Sequence, residues 1–145
     1  KLLQTKKIPF IRWSNVENRK GNERVLLIDA MGQLPICYTH SRLVILAGSF
    51  EPHLFGHNIL EPCLYNVPVL FGPYMESQKE LVSRVLEAKA GLQTSYKTIA
   101  EAIKTFFNNP DTMCLATQAL IEQGRGATAK TLAILKTNLY INGLS

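Results

Sequence analysis

Residues 48–62 read GSFEPHLFGHNILEP, a polar knot of glycine, histidine, asparagine and glutamate ahead of what reads as a short helix. Asn58 and Glu61 lie three positions apart, so on a helix they share about one face. A carboxylate there suits two neighbouring hydroxyls, such as those of a ribose, and suits a phosphate poorly. Free backbone N–H groups at the start of that helix, and of one that begins near Gly32, would attract the phosphate instead. Gly32 and Gly48 have no Cβ, so a ligand can come close to their backbone. The same spacing fits a capping box, with Asn58 as N-cap and Glu61 reaching back to it. On spacing alone both roles stay open. His53 and His57 are spaced like helical metal ligands, but the segment reads as a loop and no third ligand accompanies them, so no metal is expected. Ser49 has no His–Asp relay in view and is not expected to be a nucleophile.

These residues need a scaffold. The knot lies between two continuous apolar runs, 43–47 and 67–71, and a third run spans 25–28. Strands apolar on both faces belong to parallel sheets covered by helices on each side. Residues 8–13 read as a further strand, residues 15–24 as a polar loop, and the segment after Gly32 as a short helix with Pro35 in its first turn. The resulting order of strand, helix, strand, helix, strand is that of a doubly wound, Rossmann-like α/β sheet. The runs 25–28, 43–47 and 67–71 are expected to be adjacent parallel strands. Their following loops, 29–33, 48–62 and 72–75, are then expected along one edge, facing one crevice. Further on, Leu81, Val82, Val85 and Leu86 fall at helical spacing, as do Ile99, Ala102, Ile103, Phe106 and Phe107. Asn108-Asn109-Pro110 should stop that helix. C-terminal helices are expected from about residue 111, the last carrying Thr128, Leu132, Leu135 and Leu139 on one face. Residues 90–93 read as a short edge strand.

The chain has 145 residues, 46% hydrophobic and 19% charged, with a net charge of +5. That length allows one domain, 1–145, with a proper core. No apolar run approaches the roughly 20 residues that cross a bilayer. The chain lacks an initiator Met and opens on KLLQTKK, like the end of an amphipathic helix, and so reads as a fragment truncated at its N-terminal side. The positive excess is concentrated early, at Lys1, Lys6, Lys7, Arg12, Arg19, Lys20 and Arg24. It suits a nucleotide, a phosphorylated substrate or an acidic membrane surface, and equally an ordinary solvated face. No arginine-rich block or aromatic-interleaved basic stripe points to nucleic acid. Cys37, Cys63 and Cys114 form no CxxC pair or zinc spacing and read as buried free thiols of a reducing compartment.

The combined motifs resemble the 3-deoxy-manno-octulosonic acid (Kdo) transferases of lipopolysaccharide synthesis. Members of that family show a glycine pair before the Ser, a Gly-His-Asn-Pro-Leu-Glu-Pro core and a Pro-Val-x-x-Gly-Pro-His/Tyr strand end. They also have a Met-Gly-Glu-Leu loop and an Arg-Gly-Ala-x-x-Lys/Arg segment. The corresponding residues here are Gly56 to Pro62, Pro68 to Tyr74, Met31 to Leu34 and Arg125 to Lys130. The likeness runs over roughly residues 25–135. Gln33 stands where the family has Glu, Ala47 where it has the first glycine of the pair, Leu54-Phe55 where a glycine often precedes Gly-His-Asn, and Ile59 where it has Pro.

The resemblance implies the C-terminal, donor-binding half of a GT-B glycosyltransferase. Such an enzyme moves Kdo from CMP-Kdo to lipid A precursor, inverts the anomeric centre and uses no metal or cofactor. It would act at the cytoplasmic face of the bacterial inner membrane, with the anchor outside this chain. By this likeness Met31, Gly32, Gln33, Asn58, Ile59, Leu60 and Glu61 contact CMP, and Gly48, Ser49, Gly56 and His57 are further candidate donor contacts. The family's base is a carboxylate of the amino-terminal domain and its cytidine-contacting Pro-Arg loop lies upstream, so the chain alone is expected to be inactive and to bind CMP weakly. Two other readings remain: a GT-B transferase using a UDP-sugar, and a non-catalytic nucleotide-binding module.

Overall fold

The computed structural model describes residues 1–54, 58–125 and Ile134. The chain forms two compact units, Lys1–His40 and Ser41–Ser145.

The first unit runs α1 (Leu2–Thr5), β1 (Phe10–Arg12), a 3-10 segment (Trp13–Asn18), β2 (Val25–Leu27) and α2 (Leu34–Thr39). β1 and β2 pair in parallel, Phe10 opposite Val25 and Arg12 opposite Leu27. Their carboxyl ends are tied by Asp29. Its carboxylate accepts from the Ser14 backbone N–H at 2.9 Å, the Ser14 hydroxyl at 2.8 Å and the Arg12 guanidinium at 3.3 Å. Those bonds, the Ser14 backbone N–H first, hold the Asp29 carboxyl below its ordinary value. A carboxyl depressed in the folded state stabilises above its unfolded pKa, and loses that effect as pH falls through the folded value. Asp29→Asn should therefore lower stability at neutral pH and flatten its fall below about pH 4. Denaturant titrations of both proteins across that window check this; parallel pH curves would contradict it.

The apolar residues of this unit are poorly covered. Among its described residues Tyr38 alone is buried, while Leu26 and Leu27 are 44% and 39% exposed and Leu34 and Ile36 about half exposed. The run at 25–28 is thus a strand, as its composition predicts, but its side chains are not enclosed on both faces.

The second unit holds the core. Its order is β3 (Val44–Leu46), a 3-10 turn (Ala47–Phe50), α3 (Leu60–Cys63), β4 (Val69–Phe71), a second 3-10 turn (Glu76–Gln78), α4 (Lys79–Glu87), β5 (Gly91–Gln93), α5 (Ile99–Asn108) and α6 (Pro110–Gly124). The sheet order is β3-β4-β5, every pairing parallel, with Val44 opposite Val69 and Val69 opposite Gly91. β4 is central. Val69, Leu70 and Phe71 are each 0% exposed, and because alternate residues of a strand point to opposite faces, both of its faces are covered. Val69 and Phe71 cluster with Leu46, Ile59, Cys63, Met75, Val85 and Leu120. That places α3, α4 and α6 over one face. Asn109 ends α5, and Pro110, which needs no amide hydrogen, opens α6.

One expectation is corrected. The run 43–47 does pair in parallel with 67–71, but 25–28 does not pair with 43–47: among the described residues β2 pairs with β1, in a separate ladder. An apolar run shows that a segment is a strand but carries no signal of which other run it pairs with. The loop at 15–24 is also partly ordered, as the 3-10 segment Trp13–Asn18. The segment 90–93 is an edge strand, as read. The helix placed on Thr128 to Leu139 lies outside the described residues.

Candidate functional site

Of the expected contacts, Asn58 to Glu61 form the most informative group. The Asn58 side-chain oxygen accepts the Leu60 N–H at 3.0 Å, which caps α3. The reciprocal half of a capping box is missing. Glu61 does not reach back, and its half-buried carboxylate has no hydrogen-bond or ion-pair partner among the described residues. Asn58 is thus a cap, and Glu61 is a carboxylate at the carboxyl edge of the sheet with its acceptor capacity unspent.

The free N–H groups expected at the start of α3 are in fact engaged. The Ile59 N–H donates to the Gln78 side chain at 3.0 Å, Leu60 to Asn58, and Glu61 to the Asn58 carbonyl at 3.4 Å. An anion there would have to displace side-chain acceptors. Ile59 itself is 0% exposed and sits in the core, while Leu60 is half-buried against it.

In the first unit Gly32 turns at φ +75°, a left-handed conformation that favours glycine. Met31 beside it is 96% exposed. The Gln33 side-chain amide donates to the Met31 carbonyl at 3.3 Å and closes this turn on itself. α2 then starts with Gln33 at its N-cap, no side-chain capping bond and Pro35 in the first turn.

Gly48 is half-buried in the 3-10 turn after β3, and Ser49 is fully buried. The Ser49 hydroxyl donates to the Leu46 carbonyl and accepts the Gly72 N–H at 2.6 Å; the Ser49 carbonyl accepts the Tyr74 N–H at 2.9 Å. Its side chain joins the loop after β3 to the loop after β4, with both hydroxyl functions used. Gly56 and His57 lie outside the described residues. No cluster of potential metal ligands occurs among the described residues.

The loops 48–62 and 72–75, expected at one crevice, do meet here, joined by residues after β5 that the sequence did not single out. Phe50 and Glu51 after β3, Pro73 and Tyr74 after β4, and Tyr96 and Lys97 after β5 line a cleft of about 400 Å³. The Tyr96 hydroxyl donates to Glu51 at 2.7 Å, and this bond, ahead of burial and the charge of Glu51, raises the Tyr96 pKa. The Phe50 and Tyr96 rings are 5.2 Å apart. Glu51 and Tyr96 stand 45 positions apart, so no local spacing could have paired them. A second cavity, about 440 Å³, runs along β1 in the first unit and is the open edge of that strand pair. Of the cysteines only Cys63 is buried; burial pushes its thiol up to about 11, and Cys37 and Cys114 are half-buried rather than enclosed.

No family model matches the chain. The chain is 36% identical over 126 residues to the 3-deoxy-D-manno-octulosonic acid transferase of Chlamydia trachomatis serovar D, a match covering 86% of this chain and 28% of that protein. It is 30% identical over 146 residues to the transferase of the same name from Haemophilus influenzae, covering 97% of this chain and 34% of that one. A bifunctional glycosyltransferase/methyltransferase of Fusobacterium nucleatum is 30% identical over 110 residues, 74% of this chain and 17% of its own length. The chain therefore spans about a quarter to a third of the transferases it matches. Its fold is similar to the crystal structure of the C-terminal CMP-Kdo binding domain of WaaA from Acinetobacter baumannii. The TM-score is 0.73 at 22% identity, over 83% of this chain and 64% of that one. Over the segment that it shares with these relatives, the chain is similar to the 3-deoxy-D-manno-octulosonic acid transferases.

Proposed function

We propose that the protein carrying this chain moves Kdo from CMP-Kdo to lipid A precursor in lipopolysaccharide synthesis, and that this chain supplies donor-binding contacts. The observation that carries the reading is the state of Glu61. Its neighbour Asn58 caps α3, yet Glu61 leaves the capping box open, and this half-buried residue has no hydrogen-bond or ion-pair partner among the described residues. An acceptor-only group so placed suits the paired hydroxyls of the donor ribose. By family likeness Met31, Gly32 and Gln33 are further candidate CMP contacts; within the first unit they form a turn with Gly32 at φ +75°, ahead of an α2 start with no side-chain cap. Leu60 and Ile59 then serve mainly by holding Asn58 and Glu61 in register. Gly48 and Ser49 shape the loop, and Gly56 and His57 remain candidate contacts by family likeness.

As CMP leaves, charge develops on its phosphate. Backbone N–H dipoles fixed before the reaction stabilise such charge without reorganising, so this reading requires no metal or cofactor. The base that activates the acceptor belongs to the amino-terminal domain of a GT-B enzyme, which pairs with this C-terminal half. Among the described residues no helix is long and apolar enough to cross a membrane. Lys1, Lys6, Lys7, Arg19, Lys20 and Arg24 are exposed and suit an anionic leaflet, the cytoplasmic face of the inner membrane in this reading.

The test is incubation of the full-length protein with CMP-Kdo and lipid A precursor, with mass analysis of the lipid. A product heavier by Kdo is expected from the full-length protein and none from the 145-residue chain. Transfer from a UDP-sugar in its place, or CMP binding without transfer, would contradict the reading. Turnover by the chain alone would place the base within it.

A further inference from the structure

We propose that the cleft at the carboxyl ends of β4 and β5 is a sugar subsite for a pyranose that carries an anionic group, with Lys97 as the cation that recognises it. The inference rests on the transferase reading above and deepens it by naming where a reacting sugar is held.

Ligands of parallel sheets bind beyond the carboxyl ends of the strands, and this cleft is built from the loops that follow β3, β4 and β5. Its volume, about 400 Å³, falls within the range of small-molecule sites. Its lining includes Pro73, Tyr74 and Tyr96, and the Tyr96 ring is backed by the buried Phe50 ring at 5.2 Å. Such rings offer an apolar face to the C–H side of a sugar and, in tyrosine, a polar tip to its hydroxyls.

The charges in the cleft are unequal in their engagement. Glu51 already accepts the Tyr96 hydroxyl at 2.7 Å. Lys97 has no ion pair or hydrogen bond among the described residues. One cation is therefore left to answer an anion from outside. The frame is also set in advance. The Ser49 hydroxyl and the Gly72 N–H lock the two loops that carry Phe50 and Tyr74, and the Tyr96–Glu51 bond ties the third loop to the first. A site held in place before binding loses less entropy on binding.

An anionic pyranose could come from either substrate of the proposed reaction: the carboxylate-bearing Kdo of the donor, or a phosphorylated sugar of the acceptor. The experiment has two arms on the full-length protein. The first measures KM for CMP-Kdo and for lipid A precursor separately, with the Kd for CMP, in the parent and in Lys97→Met, which keeps chain length and removes the charge. The second titrates free Kdo and follows the tyrosine ring resonances in both proteins.

Lys97→Met should raise one of the two KM values about tenfold, the size of a lost hydrogen bond to a charged group. The Kd for CMP and the melting temperature should not move. A rise for CMP-Kdo, with ring shifts on Kdo addition that Lys97→Met abolishes, assigns the donor sugar. A rise for the lipid assigns the acceptor. Kdo-dependent ring shifts in a protein that transfers nothing would keep the subsite and sink the transferase reading. Unchanged KM values together with no Kdo-dependent shift would overturn the subsite.

Discussion

Glu61→Gln should weaken CMP binding by the full-length protein about tenfold or more, with little change in melting temperature. The two roles open to Glu61 predict different results. In a closed capping box, glutamine replaces glutamate well, because both reach the N-cap amide. A carboxylate holding two ribose hydroxyls loses charge assistance when it becomes an amide, and charge-assisted bonds are roughly twice as strong as neutral ones. The expected loss is about 1.5–3 kcal/mol. The structure has Asn58 capping α3 through the Leu60 N–H while Glu61 makes no bond back. Removing its charge therefore breaks no hydrogen bond or ion pair among the described residues, and stability should stay within about 0.5 kcal/mol. The check is isothermal titration with CMP beside a thermal melt of the same preparations. Unchanged affinity, or a loss matched by unfolding, would make Glu61 a structural residue.

Gly72→Ala should be the most damaging small substitution at this edge of the sheet. A Cβ at residue 72 would lie 2.4 Å from the Ser49 carbonyl oxygen and 2.8 Å from the Phe50 Cα. Both are backbone atoms, so no side chain can swing aside to relieve the contact. The loop after β3 must move, and with it the 2.6 Å bond from the Gly72 N–H to the buried Ser49 hydroxyl. The loss should be about 2–3 kcal/mol, the upper part of the range for overpacking. The midpoint of denaturant unfolding reads it. The same movement shifts Phe50 and Tyr74, so binding in the cleft beside them should weaken too. A variant as stable as the parent would show that the two loops are not locked together.

The parts of this account that were legible in the sequence are local ones. Val69–Phe71 announces itself as a doubly buried parallel strand by being apolar without alternation, and Val44–Leu46 as its parallel partner, although Ile45 is 42% exposed and leaves one face of that strand open. The stop at Asn109-Pro110 and the edge strand Gly91–Gln93 are carried by residues that sit in those elements. Asn58 as a cap follows from residue type and spacing. What was not legible depends on contacts distant in sequence. Nothing in the run at 25–28 says that its partner is Phe10–Arg12 and not Val44–Leu46. Ser49 reads as a candidate ligand contact until its hydroxyl is found spent on Leu46 and Gly72. The start of α3 reads as a free anion site until Gln78, from a turn 19 positions later, is found on the Ile59 N–H. The Glu51–Tyr96 bond, and Lys97 beside it with no partner among the described residues, emerge only when the loops after β3 and β5 are seen to meet.

In the proposed function the Asn58–Glu61 group helps to bind a cytidine monophosphate donor. Titration of the full-length protein with CMP and UMP under one set of conditions tests it most directly. Glu61 would hold the ribose, common to both nucleotides, and the base would fall to the cytidine-contacting loop expected upstream in the full-length protein. A site that hydrogen-bonds the cytosine amino group rejects a base lacking it, because polar groups on the protein are then left unpaired. The account predicts saturable binding of CMP, at least about tenfold tighter than UMP, and a loss of that binding in Glu61→Gln. Equal affinity for the two nucleotides, or no CMP binding by a folded full-length protein, would contradict it.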